Sequence, residues 1–262
     1  MQIKAYMTIF HRLNHAFKAA GVHLGLSFLV AGMAALLVFG LWYPFPYQEL
    51  AGGRELFLLI IIVDLVCGPL LTLVLFNPLK PKKELVRDLS LVAAIQLAAL
   101  VYGLYTVALA RPLYMVFEVD RMKVVTAADI DTSELPKADA RWRNLPWTGP
   151  KVIGLREPLN ADEQLQSIDL SLQGVDSSAR PHWWQDYDLT REQAIKKAKL
   201  VSALRIKYPA HNNLIQAAIQ DSGQSENSLK WLPLTSFKTR DWIVFIDATS
   251  GLPKAYIALD GF

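Results

Sequence analysis

Three long apolar runs dominate the first 110 positions, at residues 22–41, 56–76 and 89–110. Each holds about 20 residues, enough for a helix to cross a hydrocarbon core of roughly 30 Å. The first (VHLGLSFLVAGMAALLVFGL) and third (LSLVAAIQLAALVYGLYTVALA) hold no Asp, Glu, Lys or Arg, and the second (LFLLIIIVDLVCGPLLTLVLF) holds only Asp64. Three such runs in succession predict three transmembrane helices within 21–110. The first is read as an uncleaved anchor, because LWYPFP after it offers no small-x-small cleavage site. Ahead of it, residues 1–20 place Ile3, Met7, Phe10, Leu13 and Phe17 near one helical face, and Lys4, His11, Arg12, His15 and Lys18 on the other. That pattern predicts an amphipathic helix in the cytoplasmic interface, or an extension of the first span.

After residue 110 the periodicity changes. LYMVFEVDRMKVV (113–125) alternates around Asp120-Arg121 and predicts a hairpin or bent strand. Strand signals recur at 151–155, 231–237, 241–248 and 253–259, the last two flanking a turn at Thr249-Ser250-Gly251. Between them, LTREQAIKKAKLVSALRIKYP opens with a capping box, Thr190-x-x-Gln193, and predicts one helix ending before Pro209; NNLIQAAIQDSG predicts a second, closed by Gly223. Residues 126–150 and 168–189 read as irregular. The fold class expected is therefore a membrane protein with three transmembrane helices, followed by an α+β periplasmic domain (111–262) on a mostly antiparallel sheet.

Charge gives the orientation. The net charge of +3 resides entirely in the first 110 residues, and the remainder is balanced. Lys4, Arg12 and Lys18 precede the first span, and Lys80, Lys82, Lys83 and Arg87 lie between the second and third. The intervening loop, 42–55, holds only Arg54. Basic residues stay on the cytoplasmic side, so the N-terminus is cytoplasmic and the C-terminal domain periplasmic in an inner membrane. Trp42, Tyr43 and Tyr47 are expected in the outer aromatic belt. The charge pattern speaks to the lipid bilayer and gives no sign of nucleic acid. A single cysteine, Cys67, excludes an internal disulfide.

Asp64 is the position that demands explanation. It lies about 18 Å from the cytoplasmic end of its span, near the midplane, where an ionised carboxylate requires a partner or a proton. Tyr102 matches that depth and is the expected internal partner; Gln96, about 10 Å deep, is expected to be too shallow for contact. Gly68-Pro69 frees a backbone carbonyl and leaves a polar spot within reach of a neighbour. Asp64, Gly68, Pro69, Tyr102 and Gln96 are thus candidates either for internal pairing or for receiving a polar group from another protein's transmembrane helix. In the outer domain, His182 with Asp186 and Asp188 forms a conceivable acid–base set, but its setting, RPHWWQDYD, reads as an aromatic packing or contact loop. His182, Trp183, Trp184 and Trp231 are candidate periplasmic contacts. His11 and His15 stand at i, i+4 with no third ligand, and no phosphate loop, GxSxG or HExxH motif is present. No enzyme, cofactor or metal centre is expected.

WYPFPY, VDLVCGPLLTLVLFNP, KKELVRDLSLVAAIQLAALVYGLYTVALARP, VFEVDRMKVVTAADI, WTGPKVIGLREP and WIVFIDATSGLPKAYIAL occur in this order along the whole chain. In that combination the sequence resembles the TfpX/TfpZ family of type IV pilin accessory proteins. The resemblance implies an inner-membrane chaperone or assembly factor that supports the stability, assembly or surface display of a cognate pilin. It also implies a client whose membrane helix bears a buried carboxylate and an amine, either of which Asp64 is placed to meet. The alternatives are a membrane-anchored sensor with a periplasmic ligand-binding domain, and an anchored periplasmic enzyme. The short cytoplasmic segments count against a signalling output.

Overall fold

The computed structural model describes the chain from Gln2 to Phe262, with side chains from Arg12 onward. Two compact units result: a helical unit comprising residues up to Leu41 and Gly53–Leu109, and a sheet unit comprising Trp42–Gly52 and Ala110–Phe262. The segment between the first two apolar helices therefore folds with the C-terminal domain.

The helical unit consists of α1 (Gln2–Leu37), which widens into a π-turn at Val38–Trp42, then α3 (Gly53–Leu75) and α4 (Lys82–Leu109); the short α2 (Tyr47–Leu50) belongs to the sheet unit. All three long helices are apolar enough to cross a membrane. The backbone of α1 runs unbroken through residue 20. The amphipathic face expected over residues 3–11, and His11 with it, lies outside the described side chains. α1 and α3 meet through Phe39 and Phe57, edge to face at 5.0 Å, and through His23 Nδ1 and Thr72 Oγ1, 2.5 Å apart. Arg12 donates to the carbonyl of Val74 at 3.0 Å. At the turn into α4, Lys80 donates to Asp88 at 2.7 Å.

The sheet unit carries strands β1 (Pro112–Glu118), β2 (Arg121–Thr126), β3 (Lys151–Leu155), β4 (Trp184–Asp186), β5 (Lys199–Leu200), β6 (Leu229–Thr235), β7 (Trp242–Asp247) and β8 (Pro253–Ile257). Their order is β4-β3-β1-β2-β6-β7-β8, with β5 paired to β6. The expected β1–β2 hairpin forms, as does the β7–β8 hairpin. In the latter turn, Asp247 accepts from the N–H groups of Thr249 and Ser250, and Gly251 supplies the positive φ of 68°.

Three expectations are corrected. The sheet is mixed, and the domain α/β, because the β1–β2 hairpin sits at its centre. β3 returns parallel to β1 after a long irregular crossover, and β6 joins β2 in parallel at Met122↔Leu234 and Lys123↔Thr235. The single helix expected after Thr190 is two, α6 (Arg191–Lys197) and α7 (Val201–Lys207). Between them Lys199 and Leu200 pair with Trp231 and Lys230, and the Trp231 indole donates to the Leu200 carbonyl at 2.9 Å, so tertiary pairing overrides helix propensity. The capping box does not close: Thr190 Oγ1 donates to the Tyr187 carbonyl, and Gln193 donates to Glu157. The cap instead appears one helix earlier, at α5 (Ala161–Leu172), which runs into the stretch expected to be irregular. There Asn160 accepts from the Glu163 N–H at 2.8 Å. α8 (Asn212–Asp221) ends as expected, with Gly223 at φ 67°.

The core explains why residues 42–52 join this unit. Tyr47 and Leu50 are buried in one cluster with Met115, Phe117, Met122, Val124, Leu232, Leu234 and Trp242. Trp42 and Tyr43 are buried as well. Tyr47 fills the domain core and Trp42 and Tyr43 are buried rather than exposed in a lipid belt, which corrects the expectation for all three. Burying side chains of this size contributes on the order of 1.5–3 kcal/mol each.

Candidate functional site

α3 and α4 run antiparallel and approach closely at two glycines. A Cβ on Gly68 would lie 2.0 Å from Gln96 Nε2, and one on Gly103 would lie 2.7 Å from Ile60 Cγ1. Small residues at such crossings let helix backbones pack without voids. Gln96 uses the space to donate to the main-chain carbonyl of Asp64 at 3.1 Å. This corrects the expectation that Gln96 is too shallow. The contact is with the backbone: the Asp64 carbonyl points along α3 toward Gly68, one turn on, which is the level of Gln96. Pro69 lies within α3, which continues past it to Leu75.

Around the second of these contacts lies a groove of about 270 Å³, lined by Leu56, Leu59, Ile60, Val63, Asp64, Ala99, Tyr102, Gly103, Thr106 and Val107. Asp64 is its acidic residue. Its side chain is partly buried, and its carboxylate has no hydrogen bond or ion pair among the described residues. Tyr102 shares the groove, but its side chain is 72% exposed and forms no hydrogen bond with Asp64. The internal Asp64–Tyr102 pair is therefore absent, while the helix-to-helix hydrogen bond uses the Asp64 backbone. An acid in hydrocarbon costs about 2.5–3.5 kcal/mol even on lenient insertion scales. In the groove that cost is not offset by a partner among the described residues.

The sheet unit treats its polar groups differently. Trp183, Trp184 and Trp231, expected at the surface, are 4%, 4% and 1% exposed. Each indole has a structural role. Trp231 packs on α7 and α8. Trp184 donates to the Ser178 carbonyl at 2.8 Å and packs on Tyr114 and Trp142. Trp183 takes the guanidinium carbons of Arg156 and Arg180 at 4.8 Å each, a cation–π arrangement. His182 is partly buried, with Nδ1 2.7 Å from Glu134 Oε2. Burial pushes its pKa below the usual histidine value, against the opposing pull of Glu134. Asp186 turns instead to Arg141, and Asp188 to Arg191, so the acid–base set does not assemble around His182.

The comparisons with known proteins give the process. The family described as Fimbrial assembly protein FimB matches residues 11–52, which comprise most of α1 and the segment inserted into the sheet unit. A fimbrial assembly protein of Dichelobacter nodosus serogroup I is 37% identical over 252 residues, covering 96% of this chain and 98% of the relative. The chain belongs to the fimbrial assembly protein (FimB) family. The serogroup E1 protein of the same organism is also 37% identical over 252 residues, and that of serogroups C1 and C2 is 48% identical over 127 residues, 97% of its length. No solved structure gives a significant match. Membership implies a role in fimbrial biogenesis, and the fimbrial assembly family is not an enzyme family.

For this FimB-family chain, the residues that sequence reasoning missed are those of the inserted segment. WYPFPYQEL has the bulky apolar content of a core element, which is the signal available, but its position between two spans disguised it. α5 was missed although Asn160-x-x-Glu163 is a capping pattern.

Proposed function

We propose that this FimB-family protein works in the bacterial inner membrane as an accessory factor for a cognate type IV pilin, of the TfpX/TfpZ kind. Its N-terminus is cytoplasmic and its sheet unit periplasmic. The groove between α3 and α4 receives a transmembrane helix of the pilin, and Asp64 accepts a hydrogen bond or ion pair from it. Support for the process comes from the fimbrial assembly relatives, and support for the orientation from the basic residues flanking the spans. The observation that carries the site is the unpartnered Asp64 carboxylate in an otherwise apolar groove. An intramembrane acid is expected to face a partner or a polar path. Gly68 and Gln96 hold the two helices at the spacing that shapes the groove, and Tyr102 forms part of its wall.

The test pairs Asp64→Asn with Asp64→Leu at matched protein levels. Both variants are expected to lose pilin co-purification and surface display. Asparagine retains part of the interaction only if the pilin group is a neutral donor. Undiminished co-purification by both variants rules the groove out as the pilin site. Orientation is checked by an alkaline phosphatase fusion after Phe262, which is expected to be active.

A further inference from the structure

The chain passes between the sheet unit and the apolar helices at three points: before Trp42, after Gly52 and before Ala110. If those helices span a bilayer, which this inference assumes, the surface of the sheet unit beside these points lies where hydrocarbon gives way to headgroups. Interfacial aromatics are expected there, yet Trp42, Tyr43 and Tyr47 are buried.

Three other aromatics are exposed, and each is tied to one of these points. Phe45 is 64% exposed and follows Trp42 by three residues. Trp147 is 70% exposed, and its ring centre lies 5.5 Å from the guanidinium carbon of Arg111, the second residue after α4. Arg111 also donates to the Pro146 carbonyl at 3.1 Å, which fixes the Trp147 loop beside the third point. Phe237 is 61% exposed on a turn organised by one hydroxyl. Ser236 Oγ accepts the N–H groups of Lys238 and Thr239, at 3.1 Å each, and donates to the Leu50 carbonyl at 2.6 Å, two residues before Gly52. Cations accompany the rings. Arg111 stands against Trp147, and Lys238 and Arg240 are exposed on either side of Thr239.

We propose that Phe45, Trp147 and Phe237, flanked by Arg111, Lys238 and Arg240, form a rim that seats the sheet unit on an anionic bilayer surface. Aromatic rings settle at the headgroup level, and the neighbouring cations complement anionic headgroups. A lipid surface suits this arrangement better than a protein partner does. Each tip belongs to a different junction with an apolar helix, and every such junction of a bilayer-spanning chain passes the headgroups.

Cys67 is the only cysteine, so a Cys67→Ser background accepts single labels. Phe45→Cys, Trp147→Cys and Phe237→Cys carry nitroxides in the full chain, in vesicles of phosphatidylethanolamine and phosphatidylglycerol without pilin. Collision rates with oxygen and with a water-soluble nickel chelate report depth. Ile206→Cys, at a position 82% exposed on α7, is the water reference, and Ile62→Cys, 59% exposed on α3, is the hydrocarbon reference. All three rim labels are expected to show several-fold higher oxygen-to-nickel ratios than position 206. Ratios equal to that of position 206 at two or more rim sites, with position 62 protected, overturn the rim. Nickel access at position 62 itself overturns the membrane-spanning reading instead.

Discussion

The turns of the sheet unit and the groove between α3 and α4 treat their carboxylates in opposite ways. In the sheet unit, Glu163 has Arg156, Asp247 has two turn N–H groups and Gln224, and Glu118 holds the N–H and hydroxyl of Ser178. In the groove of the helical unit, the Asp64 carboxylate has no partner among the described residues. Solvent and turns surround the first set, and an unpaired carboxylate there is cheap to hydrate. In an apolar groove the same group is costly, so keeping it needs a reason outside the folded chain. The contrast separates acids paired within the chain from one with no partner among the described residues.

The comparison is broken most severely by disrupting the inserted segment. Leu50 is fully buried and Tyr47 nearly so in the main core cluster. Leu50→Ala is expected to cost about 2–5 kcal/mol, the range for truncating a buried leucine. The measurement is loss of near-ultraviolet ellipticity from the sheet unit during chemical denaturation of the full chain in detergent. A fragment of residues 111–262 alone lacks Tyr47 and Leu50, and is expected to expose apolar surface and bind a hydrophobic dye. A cooperative, dye-free fragment would mean that the segment decorates the core rather than completing it.

A smaller effect, of opposite sign at two neighbouring positions, sharpens the contrast. Gly68→Leu drives a side chain into Gln96 and is expected to destabilise the helical unit by about 1–3 kcal/mol, the usual cost of overpacking. Asp64→Leu removes an unpaired acid and is expected to leave stability unchanged or raise it, by no more than about 3 kcal/mol. Both are read from resistance of the helical unit to a denaturing detergent. If Asp64→Leu destabilises as strongly as Gly68→Leu, Asp64 is a structural residue.

How much of this was legible depended on the range of the interactions involved. The apolar helices follow from composition along a contiguous stretch, and the β1–β2 and β7–β8 hairpins follow from alternation around a turn; both are local signals. The parallel joints between β1 and β3 and between β2 and β6 link segments far apart in sequence, so alternation alone could not place them. Break of the helix at Ala198 is decided by Trp231 and Lys230, about thirty residues later. Asp64 was legible as an anomaly because hydrocarbon makes any acid conspicuous. Its missing partner was not, because the contact of Gln96 with Gly68 depends on where the helices turn. The burial of Trp183 and Trp184 was not legible, because the rings and guanidinium groups that cover them, such as Trp142 and Arg156, come from segments far away in sequence.

The smallest expected effect tests the other side of the contrast, the paired acid. Arg156 holds Glu163 through two hydrogen bonds, at 2.9 and 2.5 Å, and the Leu159 N–H adds a third at 2.6 Å. These contacts, the arginine foremost, pull the carboxyl pKa from 4.5 to about 2. A folded pKa below the unfolded one means that the unfolded chain binds more protons in between. The contribution is therefore complete above about pH 4.5 and fades as pH falls toward 2. Glu163→Gln is expected to cost no more than about 1 kcal/mol at neutral pH, because the pair is only partly shielded from water. It is also expected to flatten the fall in melting temperature between about pH 5 and pH 2 relative to the parent chain. Parallel pH profiles for the two proteins would show that the ion pair adds nothing measurable, and that satisfied polarity in the sheet unit is as dispensable for stability as the lone acid of the groove.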